Sequence, residues 1–384
     1  MEVKQVYEFV NAATSEALGS SGLVEEDLSN VVDVGTAVFN NQAFDRYVKS
    51  LINHIGKVIF VNRPYRGSVP SVLMDSWEYG SVLEKITSEM PEAVENESWE
   101  LTDGASYDPH IFHQPKAEAK FFNKMTTFEI DRSITEKQVK QSFSSATQLN
   151  GFISMLYNEV EKAMTVRTDG LVMRTINNMI GETVYNAYSG GAITGAGNPR
   201  AVNLLSRFNT QFTKSLTAAD AILDKDFIRY AALQMSLWTD RLTRMSTLFN
   251  VGGKQRFTPK DLQHVVMLSE FRRAADVYLQ SSTYHDVYTK LVEAETVPYW
   301  QGSGTDYAFS NTGKVYVTTA DGHASTVTGI LGVIWDRDAL GVNLFDRRVT
   351  TQWNAKAEFT NYFYKADARY FNDFNENFVV FFAA

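Results

Sequence analysis

The chain has 384 residues, no cysteine and a formal net charge of −9. That length exceeds a single ordinary core, so two or three subdomains are expected, and the missing thiols exclude disulfides, thiolate nucleophiles and cysteine-ligated metal centres. The acidic balance argues against phosphate-neutralising DNA binding, which needs a basic face. No stretch approaches the roughly 18 to 20 uninterrupted apolar residues of a membrane span.

In chain order, Met1-Glu2-Val3-Lys4-Gln5 lacks the basic and then apolar stretches of a secretory signal, which implies folding in a cytoplasm. The first 30 residues are polar and mildly helical. From Val31 to Lys57, Val34, Val38, Phe44, Tyr47, Val48, Leu51 and Ile55 recur three or four apart and predict an amphipathic helix capped at Gly56. Val58-Ile59-Phe60-Val61 predicts a short strand, broken by Pro64, Gly67 and Pro70. Residues 71–112 show no sustained period. Between Glu84 and Asp108 stand eight carboxylates against one base, Lys85, which reads as a solvated loop or as an acidic contact surface for a basic neighbour. Ala119 to Ile130 is strand-like again. Two strand runs flanking a long acidic stretch suggest a hairpin arm standing away from a core, since so long a loop is uncommon inside a compact domain. Such a ribbon is marginal alone and needs a surface to lie on.

Gln148 to Tyr188 carries the strongest helical period, weakened at Gly151, Gly170 and Gly181, and a helix of that length spans a domain. Gly190 to Pro199 is a glycine-rich boundary. Helices are predicted at Val202–Leu216, Phe227–Phe249 and Pro259–Leu279, then loop and strand punctuation over Gly302–Gly322. Gly329 to Trp335 is a buried-strand run that feeds an aromatic end. Residues 333–384 hold 13 of the 49 aromatic side chains and finish on Phe378-Val379-Val380-Phe381-Phe382, which requires a sheet or a neighbour to cover it.

No constellation carries a reaction. Gly190 to Gly197 lacks the Lys-Ser/Thr of a phosphate loop and the third glycine of a dinucleotide fingerprint. Asp108, His110 and His113 are three potential metal ligands within six residues, but with no further histidine nearby they read as hydrogen-bonded filler. Asp373, Asn375 and Asn377 copy the opening of a calcium loop, then Phe378 stands where glycine is needed. Asp336 and Asp338 read as turn formers. Arg347 and Arg348 read either as a solvated strand end or as partners for acids of another subunit. No catalytic residue, cofactor site or metal site is assigned.

The block from Gly332-Val333-Ile334-Trp335-Asp336-Arg337-Asp338 through Arg347-Arg348-Val349-Thr350-Thr351 to Asn372-Asp373-Phe374-Asn375-Glu376-Asn377-Phe378 closely resembles the end of major capsid proteins of tailed double-stranded DNA phages. Gly56 to Arg63 leading to Glu78-Tyr79-Gly80-Ser81, and Val297-Pro298-Tyr299-Trp300-Gln301-Gly302-Ser303-Gly304, look like the same family. The resemblance implies an α+β chain of the Hong Kong 97 capsid fold. Its parts would be an N-terminal arm over 1–57, an extended E-loop hairpin over 58–143 and a spine helix of the peripheral domain over 144–189. An axial domain over 190–328 and closing strands of the peripheral domain over 329–384 complete it. It further implies a non-enzymatic homo-oligomer of pentamers and hexamers, forming an icosahedral virion shell assembled in the host cytoplasm. The shell would enclose double-stranded DNA without sequence-specific binding and without a membrane, helped by separate scaffolding and portal proteins. Arg63, Arg66, Trp77, Glu92, Glu95, Arg347 and Arg348 are the candidate contacts between subunits. The alternatives are the shell of an encapsulin-type cellular nanocompartment, and, from another class, a metal-dependent hydrolase using His110 and His113.

Overall fold

A computed structural model describes residues 67, 69–74, 83–96, 99–135, 146–190, 193, 195, 197–280, 292–301 and 308–384. The arm over 1–57, the strand at Val58–Val61, and Arg63, Arg66 and Trp77 lie outside the described residues. The chain divides into two compact units, one of Met1–Tyr65, Ile130–Ala163 and Val349–Tyr364, the other of Arg66–Glu129, Met164–Arg348 and Lys365–Ala384.

The described elements begin with strands β1 (Leu83–Ser88), β2 (Ala117–Phe122) and β3 (Met125–Thr135), then helix α1 (Ala146–Ala187). Next come β4 (Gly197–Asn198), β5 (Ala201–Asn203), α2 (Leu204–Phe212), α3 (Ala218–Ala221) and α4 (Lys225–Leu242). They are followed by β6 (Gln263–Leu268), α5 (Ser269–Gln280), β7 (Glu295–Val297), α6 (Phe309–Thr312), β8 (Val315–Thr318) and β9 (Ala324–Val327). The last three strands are β10 (Ile330–Asp336), β11 (Leu340–Asn354) and β12 (Phe359–Asn372), and then β13 (Phe378–Phe382). Strands β11, β12 and β3 form a three-stranded sheet in that order.

In the first unit, Tyr157 of α1 meets Tyr364 of β12 edge to face at 6.1 Å. Ser133 Oγ donates to Asn361 Oδ1 at 2.5 Å.

The second unit is built on a six-stranded sheet in the order β4-β5-β13-β10-β6-β7. Strands β10 and β13 are its centre, antiparallel to each other, with Val333 opposite Val380 and Trp335 opposite Phe378. Every residue of both is buried, the pattern of a strand covered on two faces. The aromatic end is therefore core, as its composition requires. Trp335 stacks between His264 and Phe378, and Phe381 meets Trp238 of α4 edge to face. Asn203 fastens the last residues, its Nδ2 donating to the Ala384 carbonyl at 2.6 Å while its Oδ1 caps α2 through the Ser206 amide. The half of α1 in this unit buries Leu171, Val172, Ile176, Met179, Ile180 and Val184 on one stripe. Trp300 ties helix to sheet, because its carbonyl accepts from Asn177 Nδ2 and its indole Nε1 donates to the Ile330 carbonyl.

Four expectations change. The segment Pro259–Leu279 is not one helix: the run Gln263 to Leu268 forms β6, locked between β10 and β7. A continuous apolar run reads equally as buried helix or buried strand, and sheet pairing decides it. Val202–Leu216 begins as strand β5, and its helix ends at Phe212, where Thr213 takes a left-handed φ of 52°. The helix expected to reach Phe249 stops at Leu242. Finally, 83–88 is a strand inside a stretch that showed no period.

Candidate inter-subunit hairpin

Strands β1 and β2 pair antiparallel with Leu83 opposite Phe122, Lys85 opposite Lys120 and Ser88 opposite Ala117. Successive side chains of a strand point to opposite faces. Leu83, Lys85, Thr87, Glu118, Lys120 and Phe122 are partly covered, whereas Glu84, Ile86, Ala119 and Phe121 are exposed. The covered face thus carries three charges, and the open face carries Ile86 at 68% and Phe121 at 64% exposure. That polarity is reversed from an ordinary half-buried ribbon.

The charged face is seated by ion pairs. Lys85 Nζ donates to Glu376 Oε1 at 2.7 Å, to Asp373 Oδ2 at 2.9 Å and to the Asp338 carbonyl at 3.2 Å. Lys120 takes the other Asp373 oxygen at 3.1 Å, and Arg256 Nε takes Glu376 at 3.3 Å. Burial alone would lower the Lys85 pKa, but the bonds and charges of Glu376 and Asp373 outweigh it and the net shift is upward. Burial likewise pushes Asp373 up, and the charge and bond of Lys85, with the Asn375 amide and Lys120, pull it below its ordinary value. The calcium-like opening at Asp373 is thereby explained: both oxygens already face ammonium groups. At the rim Lys254 pairs with Glu118 at 2.9 Å. Apolar cover on this face comes from Phe122 against Phe371, ring centroids 5.2 Å apart, and from the partly covered Leu83.

Beyond the ladder the connection is exposed from Glu89 to Lys116 wherever it is described. It mixes acids with uncovered apolar side chains, Trp99 at 95% and Phe112 at 82% exposure, together with Val94, Leu101 and Ile111.

Of the sequence candidates, Glu92 and Glu95 lie here, exposed. Asp108 Oδ1 accepts from the His110 amide, an arrangement that turns the loop, and among the described residues no three His, Asp or Glu side chains are grouped to hold a metal ion. Arg348 is elsewhere, donating to Asp346 and Asp367 of its own chain at 2.6 Å each, and its bond holds the Asp367 carboxyl below its usual value. Arg347 is its exposed neighbour on β11. Asp336 is the turn former expected, accepting from the Asp338 amide and the Thr258 hydroxyl. Sequence reasoning missed Lys85, Lys120 and Glu376 as anchors. The available signal was Lys85 itself, the one base in an acidic block.

A model of the Phi29-like phage major capsid protein family matches residues 10–382. No curated protein matches the chain. Among solved structures, the capsid of Staphylococcus phage Andhra aligns with a TM-score of 0.54 at 7% identity, over 86% of this chain and 87% of that one. A structure described as head fiber and inner core protein gp22 of native bacteriophage P68 aligns with a TM-score of 0.52 at 8% identity, over 86% and 88%. At such identities the likeness is one of fold. With the family match spanning nearly the whole sequence, the chain belongs to the Phi29-like phage major capsid protein family.

Proposed function

We propose that this capsid protein assembles as pentamers and hexamers into an icosahedral head around the phage DNA, and that its hairpin is a principal contact between copies. One observation carries the reading: a ribbon whose open face and tip hold Ile86, Phe121, Val94, Trp99, Leu101 and Phe112 in water. So many large apolar side chains exposed along one hairpin suit an interaction site, and a two-stranded ribbon gains by lying on a neighbour. Glu92 and Glu95 flank the apolar tip and suit a basic rim on the partner. Arg63, Arg66, Trp77 and Arg347 remain candidate contacts, and Arg348 now carries an intrachain pair that a neighbour would have to share. The role is structural, many modest interfaces summing to a container, with scaffolding and portal proteins as partners and the virion as the site. An acidic chain suits a wall that encloses DNA without adhering to it.

The test is Trp99→Asp with Phe112→Asp in the full chain, expressed with its scaffold. Both side chains are solvent-exposed, so the protein should fold with unchanged circular dichroism and form no shells in electron micrographs. Shells of normal size and yield from the double variant would overturn the hairpin contact.

A further inference from the structure

We propose that the cluster of Lys85, Lys120, Asp373 and Glu376 is an electrostatic latch that seats the hairpin on its own subunit reversibly, so that the ribbon can be released without unfolding the sheet behind it. Three observations lead there. The seated face is charged and its partners lie in the turns beside the central sheet, whereas the middle strands of that sheet, β10 and β13, are buried throughout. The contacts are ion pairs of 2.7 to 3.1 Å between partly covered ammonium groups and carboxylates whose side chains are at most 9% exposed. The apolar residues of the seated face stand at its end, Leu83 opposite Phe122, with Phe122 on Phe371.

The energetics of such pairs differ from those of apolar packing. Desolvating two charges costs about as much as their attraction returns, so the net gain from closing the latch is small although each bond is short. A hairpin seated by Leu and Val would be held firmly. One seated by lysines is held near balance, and salt, which screens the charges once the ribbon is released into water, or a competing charged surface tips it.

Acidity is a poor trigger by comparison, and the signs show why. The groups facing the cluster are Lys85 and Lys120 from the hairpin, Asp373 and Glu376 from the turn before β13, and Arg256 from the preceding loop. Asp336 and Asp338 at the end of β10 complete the set, with Lys254, Glu89 and Glu118 at the rim. Asp373 has a depressed folded pKa, so its contribution is present above its unfolded value of 3.8 and is lost as pH falls through the folded one. Lys85 has a raised folded pKa, so its contribution is present below 10.5 and is lost as pH rises past the folded value. Asp336, pushed up by burial, lies behind the cluster, with its Oδ2 accepting from the Thr258 hydroxyl. Across the neutral range Lys85 and Asp373 keep one charge state, and ionic strength is the variable that moves the latch.

The experiment follows amide hydrogen exchange of the unassembled full-length chain. In Lys85→Glu, amides of Leu83–Ser88 and Ala117–Phe122 should exchange at least about tenfold faster, with Phe378–Phe382 unchanged. Raising salt to about 1 M should move the wild-type hairpin the same way. The double change Lys85→Met with Glu376→Met should restore protection and weaken its dependence on salt, because an apolar pair replaces the central ionic one while Lys120 with Asp373 and Lys254 with Glu118 are left. Unchanged hairpin exchange in Lys85→Glu overturns the latch. So does acceleration shared equally by Phe378–Phe382, which would make the ion pairs part of the core, and so does a salt response in the Met/Met chain as large as in the wild type. None of these readouts requires assembly, so this proposal and the shell contact can fail separately.

Discussion

The pair β10 and β13 and the pair β1 and β2 are both antiparallel ladders of five or six residues, yet they put their side chains to opposite uses. In the first, both faces are apolar and covered, and Trp335, Phe378 and Phe381 each lose nearly all contact with water. In the second, ion pairs of Lys85 and Lys120 hold the covered face, and Ile86 and Phe121 stand on the open one. The difference shows how one chain can hold a permanent element and an exchangeable one. Apolar burial contributes roughly 25 cal/mol per Å² and is not easily undone, whereas ion pairs near balance release at little cost. The apolar side chains left outside are free to bind something else.

Three measurements would break or sharpen that contrast. The largest effect belongs to the permanent ladder. Phe381→Asp places an unpaired carboxylate among fully buried neighbours, and a loss of more than about 4 kcal/mol is expected. Soluble aggregates and an absent thermal transition would be the sign of it; a cooperatively melting variant would show that the sheet centre is not the core. The exchangeable ladder should respond far less. Trp99→Ala in the unassembled chain is expected to shift stability by no more than about 0.5 kcal/mol, since a side chain 95% exposed gives up almost no burial. A larger loss in a urea titration would mean that the tip packs on its own subunit, and the contrast would fall. Between them lies the latch variant Lys85→Glu, whose effect should be confined to the hairpin amides.

The permanent ladder was legible in the sequence because its chemistry is uniform: Gly329 to Trp335 and Phe378 to Phe382 could not have been left in water. The long helix was equally plain, expected over Gln148–Tyr188 and found at Ala146–Ala187. Strand β1 was not, for a specific reason. Period-two alternation is read from apolar residues, and at Lys85 the inward position is held by a cation whose partners, Asp373 and Glu376, lie almost 300 residues away in the sequence. No local pattern announces a buried ion pair. For β6, the ambiguity was instead one of type, since four consecutive buried residues suit helix or strand and only the pairing with Trp335 and its neighbours resolves it. Arg348 was noticed and then given two readings; the nearby acids Asp346 and Asp367 supply its bonds within one chain.

The placing of the tryptophans has an optical consequence. Trp238, Trp300 and Trp335 sit in the dry interior, while Trp99 stands almost wholly in water and Trp353 is about half exposed. Indoles in water emit at longer wavelength than indoles in a core, so the tip of the hairpin colours the red edge of this protein's own fluorescence. When the tip becomes covered, that edge should move to the blue, and Trp99→Phe should remove most of the movement. Shell growth could then be followed without a label, from the light of a side chain at the hairpin tip that assembly would bury.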